Sequence, residues 1–334
     1  MNNQRVSIIS PVRNGAQFLP ECLNSILSQT YHNWELLIVN DNSTDETQSI
    51  LDDYAKKDLR IKVFQNKGTG IIDALQTGYA QSSGGFITRM DADDIMMPNK
   101  LQLMTDKLIE NGKGFLATGL VHYFSEEGIG DGYYNYQEWL NGLSQSDSNF
   151  DDIYKECVIP SPCWMVARQD FEASNGFNSP LYPEDYDLAF RFYKQGLTVV
   201  AVKEVIHHWR DYSTRTSRTD SNYSDNYFIQ LKMKYWIELD SDNSRKLELW
   251  GAGKKGKEVA KLLIKNNIEF NWLSNNDNKI GREVYGKILL TGKDILKQGT
   301  PQIIIAVGSR EFNREIKKTL NSKNLKSNLD YFFV

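Results

Sequence analysis

Cysteine is scarce in this chain, with three in 334 residues. Cys22, Cys157 and Cys163 are odd in number, scattered and without metal-ligand spacing. That excludes a disulfide framework and a cysteine zinc site, and leaves three reduced thiols, the usual state in a cytoplasmic protein. Long apolar runs are missing too. None approaches the length that crosses a membrane, and the polar start MNNQRVSII has no signal-peptide character. A cytoplasmic protein is therefore expected, at most peripheral to the inner face of a membrane. Nor is there an excess of positive charge. The formal net charge is -4, which gives no electrostatic reason to expect nucleic acid as a partner.

What is present suits a globular protein of two domains: 334 residues, 40% of them hydrophobic and 25% charged. Aromatics reach 12%, and two clusters stand out, GYYNYQEWL at 132–140 and NYSDNYF at 222–228. Neither reads as a helical core stripe. As loops they suit stacking on a flat or sugar-like ligand, or plugging a core.

The first ninety residues alternate between β-rich and helical patterns. VSIISPV, WELLIVND, IKVFQN and GGFITRMD read as strands; FLPECLNSILSQT, TDETQSILDDYAKKD and GIIDALQTGYAQS read as helices, the second opened by Ser43, Thr44 and Asp45. This spacing predicts a mostly parallel sheet with helices on both faces, and ligands at the carboxyl ends of its strands. Pro11, Asp41 and Asp91 fall there. Another strand is expected at LTVVAVKEVIHHW, and a connecting helix at NYFIQLKMKYWIEL.

FITRMDADDIMMP, residues 86–98, places Asp91, Asp93 and Asp94 close together, where they repel unless a positive charge faces them. Asp94 could cap a helix beginning at IMMPNKLQLM, with Pro98 in its first turn. Capping accounts for one aspartate, not three. Asp91 and Asp93 lie two apart, so on extended backbone both point to one face. Their hard oxygens suit Mg²⁺ or Mn²⁺, which share ligands with a diphosphate. On spacing alone, a metal site and a solvated turn both stay open. Asp41 could accept hydrogen bonds from a nucleobase or ribose, or cap the next helix, a role Asp45 fits better.

With those residues in hand, VSIISPVRNGAQFLPECLNSILSQTYHNWELLIVNDNSTDET and ITRMDADDIMMPNKL resemble the nucleotide-binding half of family 2 glycosyltransferases with the GT-A fold. PEDYDLAFRFYKQG resembles the acidic acceptor-side motif of the same family. The likeness covers roughly residues 5–217, with three motifs in order. It implies a nucleotide-diphospho-sugar transferase fold, a mixed, mostly parallel sheet flanked by helices, and an inverting transfer from a UDP-linked sugar. By resemblance, Asp41 contacts the uracil and Pro11, Val12 and Arg13 frame base and ribose. Asp91 lies against the ribose and shares the metal with Asp93, and Asp94 stands behind them. Arg89 steers toward the diphosphate or donor sugar, or forms an ion pair with an aspartate. The general base falls on Asp185, with Glu184 touching the acceptor or orienting the loop; the other reading is a capping cluster with Asp187 or Glu184 paired to Arg191. Arg210 and Arg215 could close over the diphosphate. The family often has histidine where this chain has Tyr212, and Asp and Gly where it has Asn40 and Asn42. His207 and His208 read as strand-end residues.

A second α/β unit begins at LWGAGKKGKEVAKLL, where Gly251, Gly253 and Gly256 follow a strand and open a helix. This is the spacing of a phosphate turn, with Lys254 and Lys255 adding positive charge. Asp277 is close to the position of a ribose acid, and PQIIIAVGSREF supplies a strand ending at Gly308 and Ser309. The unit resembles small Rossmann-type domains, and a purely structural or oligomerising module is the other reading. The expected division is 1–217 for the GT-A domain, 218–245 for a connecting helical segment and 246–334 for the Rossmann-like domain. The expected partners are a nucleotide sugar and a saccharide or lipid-linked acceptor of surface polysaccharide synthesis, with self-association open. Two other functions compete: an NAD-dependent oxidoreductase built on the glycine turn, and a non-catalytic sugar-nucleotide-binding protein. Neither needs both acidic motifs.

Overall fold

The computed structural model describes residues 4–215, 218, 228–292 and 300–334. The chain divides into two compact units, Met1–Phe150 with Cys157–Tyr223, and Asp151–Glu156 with Ser224–Val334.

The first unit runs β1 (Val6–Val12), α1 (Leu19–Leu27), β2 (Trp34–Asn40), α2 (Thr47–Lys57), β3 (Ile61–Gln65), α3 (Ile71–Tyr79), β4 (Phe86–Arg89), β5 (Ile95–Met96), α4 (Lys100–Asn111), β6 (Phe115–Phe124), α5 (Asp131–Gln145), β7 (Met165–Ala167), α6 (Arg168–Ala173), α7 (Glu184–Lys194) and β8 (Thr198–Arg210). Its eight strands form one sheet in the order β3-β2-β1-β4-β7-β6-β8-β5. The first four are mutually parallel. β7 joins β4 and β6 antiparallel, β6 and β8 are parallel, and β5 closes the edge antiparallel to β8. β1 and β2 read as near-continuous apolar runs because helices cover both faces of a parallel sheet. Every residue of β2 is buried. The apolar faces of α1 and α4, with Leu19, Leu23, Ile26, Leu101 and Met104, pack on Ile8, Leu36 and Ile38.

A buried charge sits on β2. Glu35, 2% exposed, accepts from the Ser7 hydroxyl at 2.8 Å, the Ser83 amide at 2.6 Å and Lys62 Nζ at 2.8 Å. Burial pushes its pKa up, but the bonds from Lys62, Ser83 and Ser7 outweigh it and hold the carboxyl at about 2, below its ordinary 4.5. Its stabilising effect is full above that ordinary value and fades as the pH falls toward the lower one. Glu35→Ala strands these donors, and a loss of about 3 kcal/mol in urea unfolding at neutral pH is expected. The deficit should shrink in acid, where the parent protein loses the same ionised partner.

Two local expectations are corrected. GYYNYQEWL is not a loop but part of α5, with Tyr133, Tyr136, Gln137, Leu140 and Ser144 at helical spacing toward the protein. Tyr133, Tyr136 and Trp139 pack there with Tyr123 and Trp209. Asp94 caps no helix: β5 intervenes, and α4 begins only at Lys100. The NYSDNYF cluster, apart from Phe228, lies outside the described residues.

In the second unit, β9 (Leu247–Trp250), β10 (Asn271–Ser274), β11 (Glu283–Val284), β12 (Lys287–Thr291), β13 (Gln302–Ile305) and β14 (Tyr331–Phe333) form a sheet ordered β11-β12-β10-β9-β13-β14. All neighbours are parallel except the β11–β12 pair. The helix Ile229–Leu239 groups with this unit, its buried Trp236 ring 5.8 Å from Phe332. Tyr154, from the 151–156 stretch, reaches the same ring at 5.6 Å. At the β9 turn Gly251 has φ 129°, and a Cβ on Gly256 would come within 1.9 Å of the Gly251 carbonyl oxygen. The tight turn requires both glycines. Lys255 Nζ donates to the Val334 carbonyl at 2.6 Å, and Lys279 Nζ to the Ala252 carbonyl at 2.9 Å.

Candidate active site

Three βα turns at the carboxyl edge of the first sheet are knitted together. Pro11 and Val12 end β1, and Arg13 follows, exposed, in the turn. The Asn14 amide donates to the Ser43 hydroxyl at 2.9 Å, Asn14 Oδ1 accepts from the Thr44 amide at 2.8 Å, and the Ala16 amide reaches Asp45 at 3.0 Å. Asp41, directly after β2, turns its carboxylate the other way. It accepts from Asn66 Nδ2 at 2.7 Å and from the Gly70 amide at 3.0 Å. Asp41 therefore braces the turn that opens α3.

β4 ends at Arg89, 5% exposed, and the acidic turn follows. Arg89 donates Nε to Asp91 Oδ1 at 3.0 Å and Nη1 to Glu184 Oε1 at 2.9 Å. Burial favours the neutral form of its guanidinium, but Asp91, Glu184 and Asp185 override that and hold the charge firmly. One side chain thus joins the turn after β4 to the first turn of α7, across 95 residues. Glu184 Oε2 is buried and has no partner among the described residues. Asp185, half-buried, accepts a hydrogen bond from the Tyr186 amide at 2.7 Å. Burial first, then the charge of Glu184, push its carboxyl up to about 7, against the pull of Arg89. Asp187 is turned inward and fully buried, its carboxylate 2.8 Å from Arg191 Nε.

The three turn aspartates have different surroundings. Asp94 is fully buried and both its oxygens are committed, Oδ2 to His207 Nε2 at 2.9 Å and Oδ1 to the Arg210 amide at 2.8 Å. Asp93 accepts from the Tyr212 hydroxyl at 2.9 Å, so tyrosine meets the acidic turn where the family often has histidine. Burial, then the charges of Asp94 and Asp91, hold Asp93 up to about 7, opposed by Arg215. Arg215 also lies 5.1 Å over the Trp209 ring. Arg210 donates Nε to the Asp93 carbonyl at 2.8 Å and pairs with Glu21. Among the described residues, no three His, Cys, Asp or Glu side chains form a ready cage for a metal ion. Asp91 and Asp93 are the pair with a carboxylate oxygen left over, since Arg89 takes Asp91 Oδ1 and Tyr212 takes Asp93 Oδ2.

Sequence reasoning missed Tyr212, Lys100 and His207 as neighbours of the acidic turn. The one available signal was the departure at Tyr212, a hydroxyl where a ring nitrogen is common. Gly251, Gly253 and Gly256 lie in the second unit.

The chain belongs to glycosyl transferase family 2, whose model matches residues 7–174. Residues 243–328 match a second family, described as C2185-like, N-terminal. A relative from Escherichia coli, UDP-Glc:alpha-D-GlcNAc-diphosphoundecaprenol beta-1,3-glucosyltransferase WfgD, is 36% identical over 70% of this chain and 85% of its own. Against several other curated relatives the chain spans only 20% to 58% of their length. Among solved structures, Staphylococcus aureus TarS 1-349 in complex with UDP-GlcNAc superposes with a TM-score of 0.55, at 17% identity, over 72% of this chain and 68% of that one. The mannosyltransferase PcManGT from Pyrobaculum calidifontis, in complex with GDP-Man and Mn²⁺, gives 0.51 at 17% identity over 72% and 65%. The first unit has the fold of these GT-A enzymes. No described helix is long and apolar enough to cross a membrane.

Proposed function

We propose that residues 1–217 form an inverting, divalent-metal-dependent glycosyltransferase. It takes a sugar from a nucleotide donor, UDP-linked, to a saccharide or lipid-linked acceptor of surface polysaccharide synthesis. The observation that carries this reading is the Arg89 bridge, which joins the acidic turn of the donor side to the acidic pair of the acceptor side. The E. coli relative, named for a UDP-Glc donor and a diphosphoundecaprenol-linked acceptor, supports the choice of donor and acceptor class.

A divalent cation fits by the chemistry of the oxygens. Three carboxylates crowd one turn, and Asp91 and Asp93 each offer one hard oxygen. Asp91 and Asp93 would hold the cation, sharing it with water and the substrate diphosphate. Bound there, the cation stabilises charge on the departing nucleoside diphosphate. Pro11, Val12, Arg13 and Asp41 frame the base and ribose, Asp41 through lone pairs left open by its donors Asn66, Gly70 and Asn42. Asp185 takes the proton from the acceptor hydroxyl, and Glu184, held by Arg89, touches the acceptor or orients the loop.

The test is a thermal-shift panel of nucleotide sugars with and without Mn²⁺, followed by release of nucleoside diphosphate in the presence of a lipid-linked sugar acceptor. A donor at a hundred times its Kd stabilises the native state by about 2.7 kcal/mol. We expect UDP-sugars to shift the melting temperature with Mn²⁺ present, and UDP to be released. Indifference to every nucleotide sugar, with reduction of NAD instead, would move the function to the second unit.

A further inference from the structure

We propose that a buried chain of three side chains, Lys100, His207 and Asp94, sets the conformation of the acidic turn and thereby its affinity for the divalent cation. Lys100 and His207 are then positioning residues, and the inference rests on the metal-dependent reading above. All three side chains are 0% exposed. Lys100 Nζ, at the first residue of α4, donates to the Pro162 carbonyl at 2.6 Å and to His207 Nδ1 at 3.3 Å. An ammonium only donates, so Nδ1 is the acceptor and Nε2 carries the hydrogen. That hydrogen points at Asp94 Oδ2, 2.9 Å away. The other oxygen of Asp94 receives the Arg210 amide at 2.8 Å, and Arg210 Nε holds the carbonyl of Asp93 at 2.8 Å. Pairing of Met96 with His207 and of Ile95 with His208 fixes the exit of the turn on the same strand.

Simple packing does not call for an ammonium here. A buried charge that meets a carbonyl and a ring nitrogen is expensive, and an apolar chain of the same length would fill the space. What the ammonium adds is direction. It fixes the tautomer of His207 and the ring plane, the ring fixes the Asp94 carboxylate, and Asp94 fixes the backbone beside Asp93. Outer partners of a metal site act in this way, and their loss weakens metal binding without touching a ligand.

Three variants test the chain: Lys100→Met, which keeps length and burial; His207→Leu, which removes both ring functions; and His207→Gln, which keeps one acceptor and one N–H donor. Mn²⁺ affinity in the presence of UDP is read by electron paramagnetic resonance of the free ion, alongside melting temperature. Lys100→Met and His207→Leu should bind Mn²⁺ roughly tenfold or more weakly while folded. His207→Gln should restore most of the affinity. A merely structural role would lower the melting temperature and leave the affinity of the folded protein unchanged, and that result overturns the proposal. If Lys100→Met does not fold, the His207 pair decides, and equal affinities for His207→Leu and His207→Gln overturn it. Absence of Mn²⁺ uptake by the unaltered protein with UDP would instead sink the metal reading, a result distinct from unchanged affinity in the variants.

Discussion

Asp185→Asn is expected to leave nucleotide-sugar affinity intact and to slow transfer by about a hundredfold or more, the scale of a lost general base. Asparagine keeps the shape of the side chain and its bond from the Tyr186 amide, but it takes no proton at neutral pH. The bond to Arg89 belongs to Glu184, so the bridge to the acidic turn survives the substitution. Burial and the charge of Glu184 hold Asp185 up to about 7, and the base works only when ionised. Transfer by the parent protein should therefore rise with pH through neutrality and level off above it. The Asn variant should lose that rising limb. Initial rates of nucleoside diphosphate release across the neutral range, with donor affinity measured separately, check both statements. A variant with full transfer would move the base to Glu184, because Asp187 is buried against Arg191.

Most of the first sheet was legible because parallel strands covered on both faces leave an unmistakable trace, apolar runs such as WELLIVN separated by helical spacing. The acidic turn was legible by residue type, since three clustered carboxylates need an explanation wherever they occur. What joins them was not. Arg89 reaches Glu184 across 95 residues, and such a pairing leaves no local periodicity to read. The capping alternative for Asp94 does not hold, and its true partners were not legible because His207 and the Arg210 amide come from a strand more than a hundred residues away. The α5 error has a different cause. Gln137, buried and donating no apolar character, interrupts the stripe that Tyr133, Tyr136 and Leu140 otherwise make, while Tyr134, 57% exposed, adds an aromatic on the wrong face. In the second unit, the positive φ of Gly251 and the close approach of Gly256 to the Gly251 carbonyl account for two of the three glycines by geometry, whereas Gly253 has a negative φ and open space where a Cβ would stand. The two glycines that the turn itself requires say little about a ligand.

Asp93→Ala is expected to abolish the metal dependence of UDP binding and to leave the fold intact. Asp93 contributes to the surface of the turn and not to the apolar core, and its one neutral partner, the Tyr212 hydroxyl, can turn to water when the carboxylate is gone. Removing one of three crowded negative charges also relieves repulsion, so the melting temperature without metal should hold or rise. Affinity for UDP without metal should match the parent, because the framing residues Pro11, Val12, Arg13 and Asp41 are untouched. With Mn²⁺ added, the parent should gain affinity and the variant should not. Loss of a direct ligand should exceed the 10- to 100-fold effect, roughly, of losing an outer partner. Calorimetric titration of UDP with and without Mn²⁺ measures all four affinities. An unchanged Mn²⁺ effect in the variant would place the cation elsewhere. It would also leave the crowding of Asp91, Asp93 and Asp94 to be balanced by Arg89, which pairs with Asp91, and by Arg215 and Lys100, whose charges bear on Asp94.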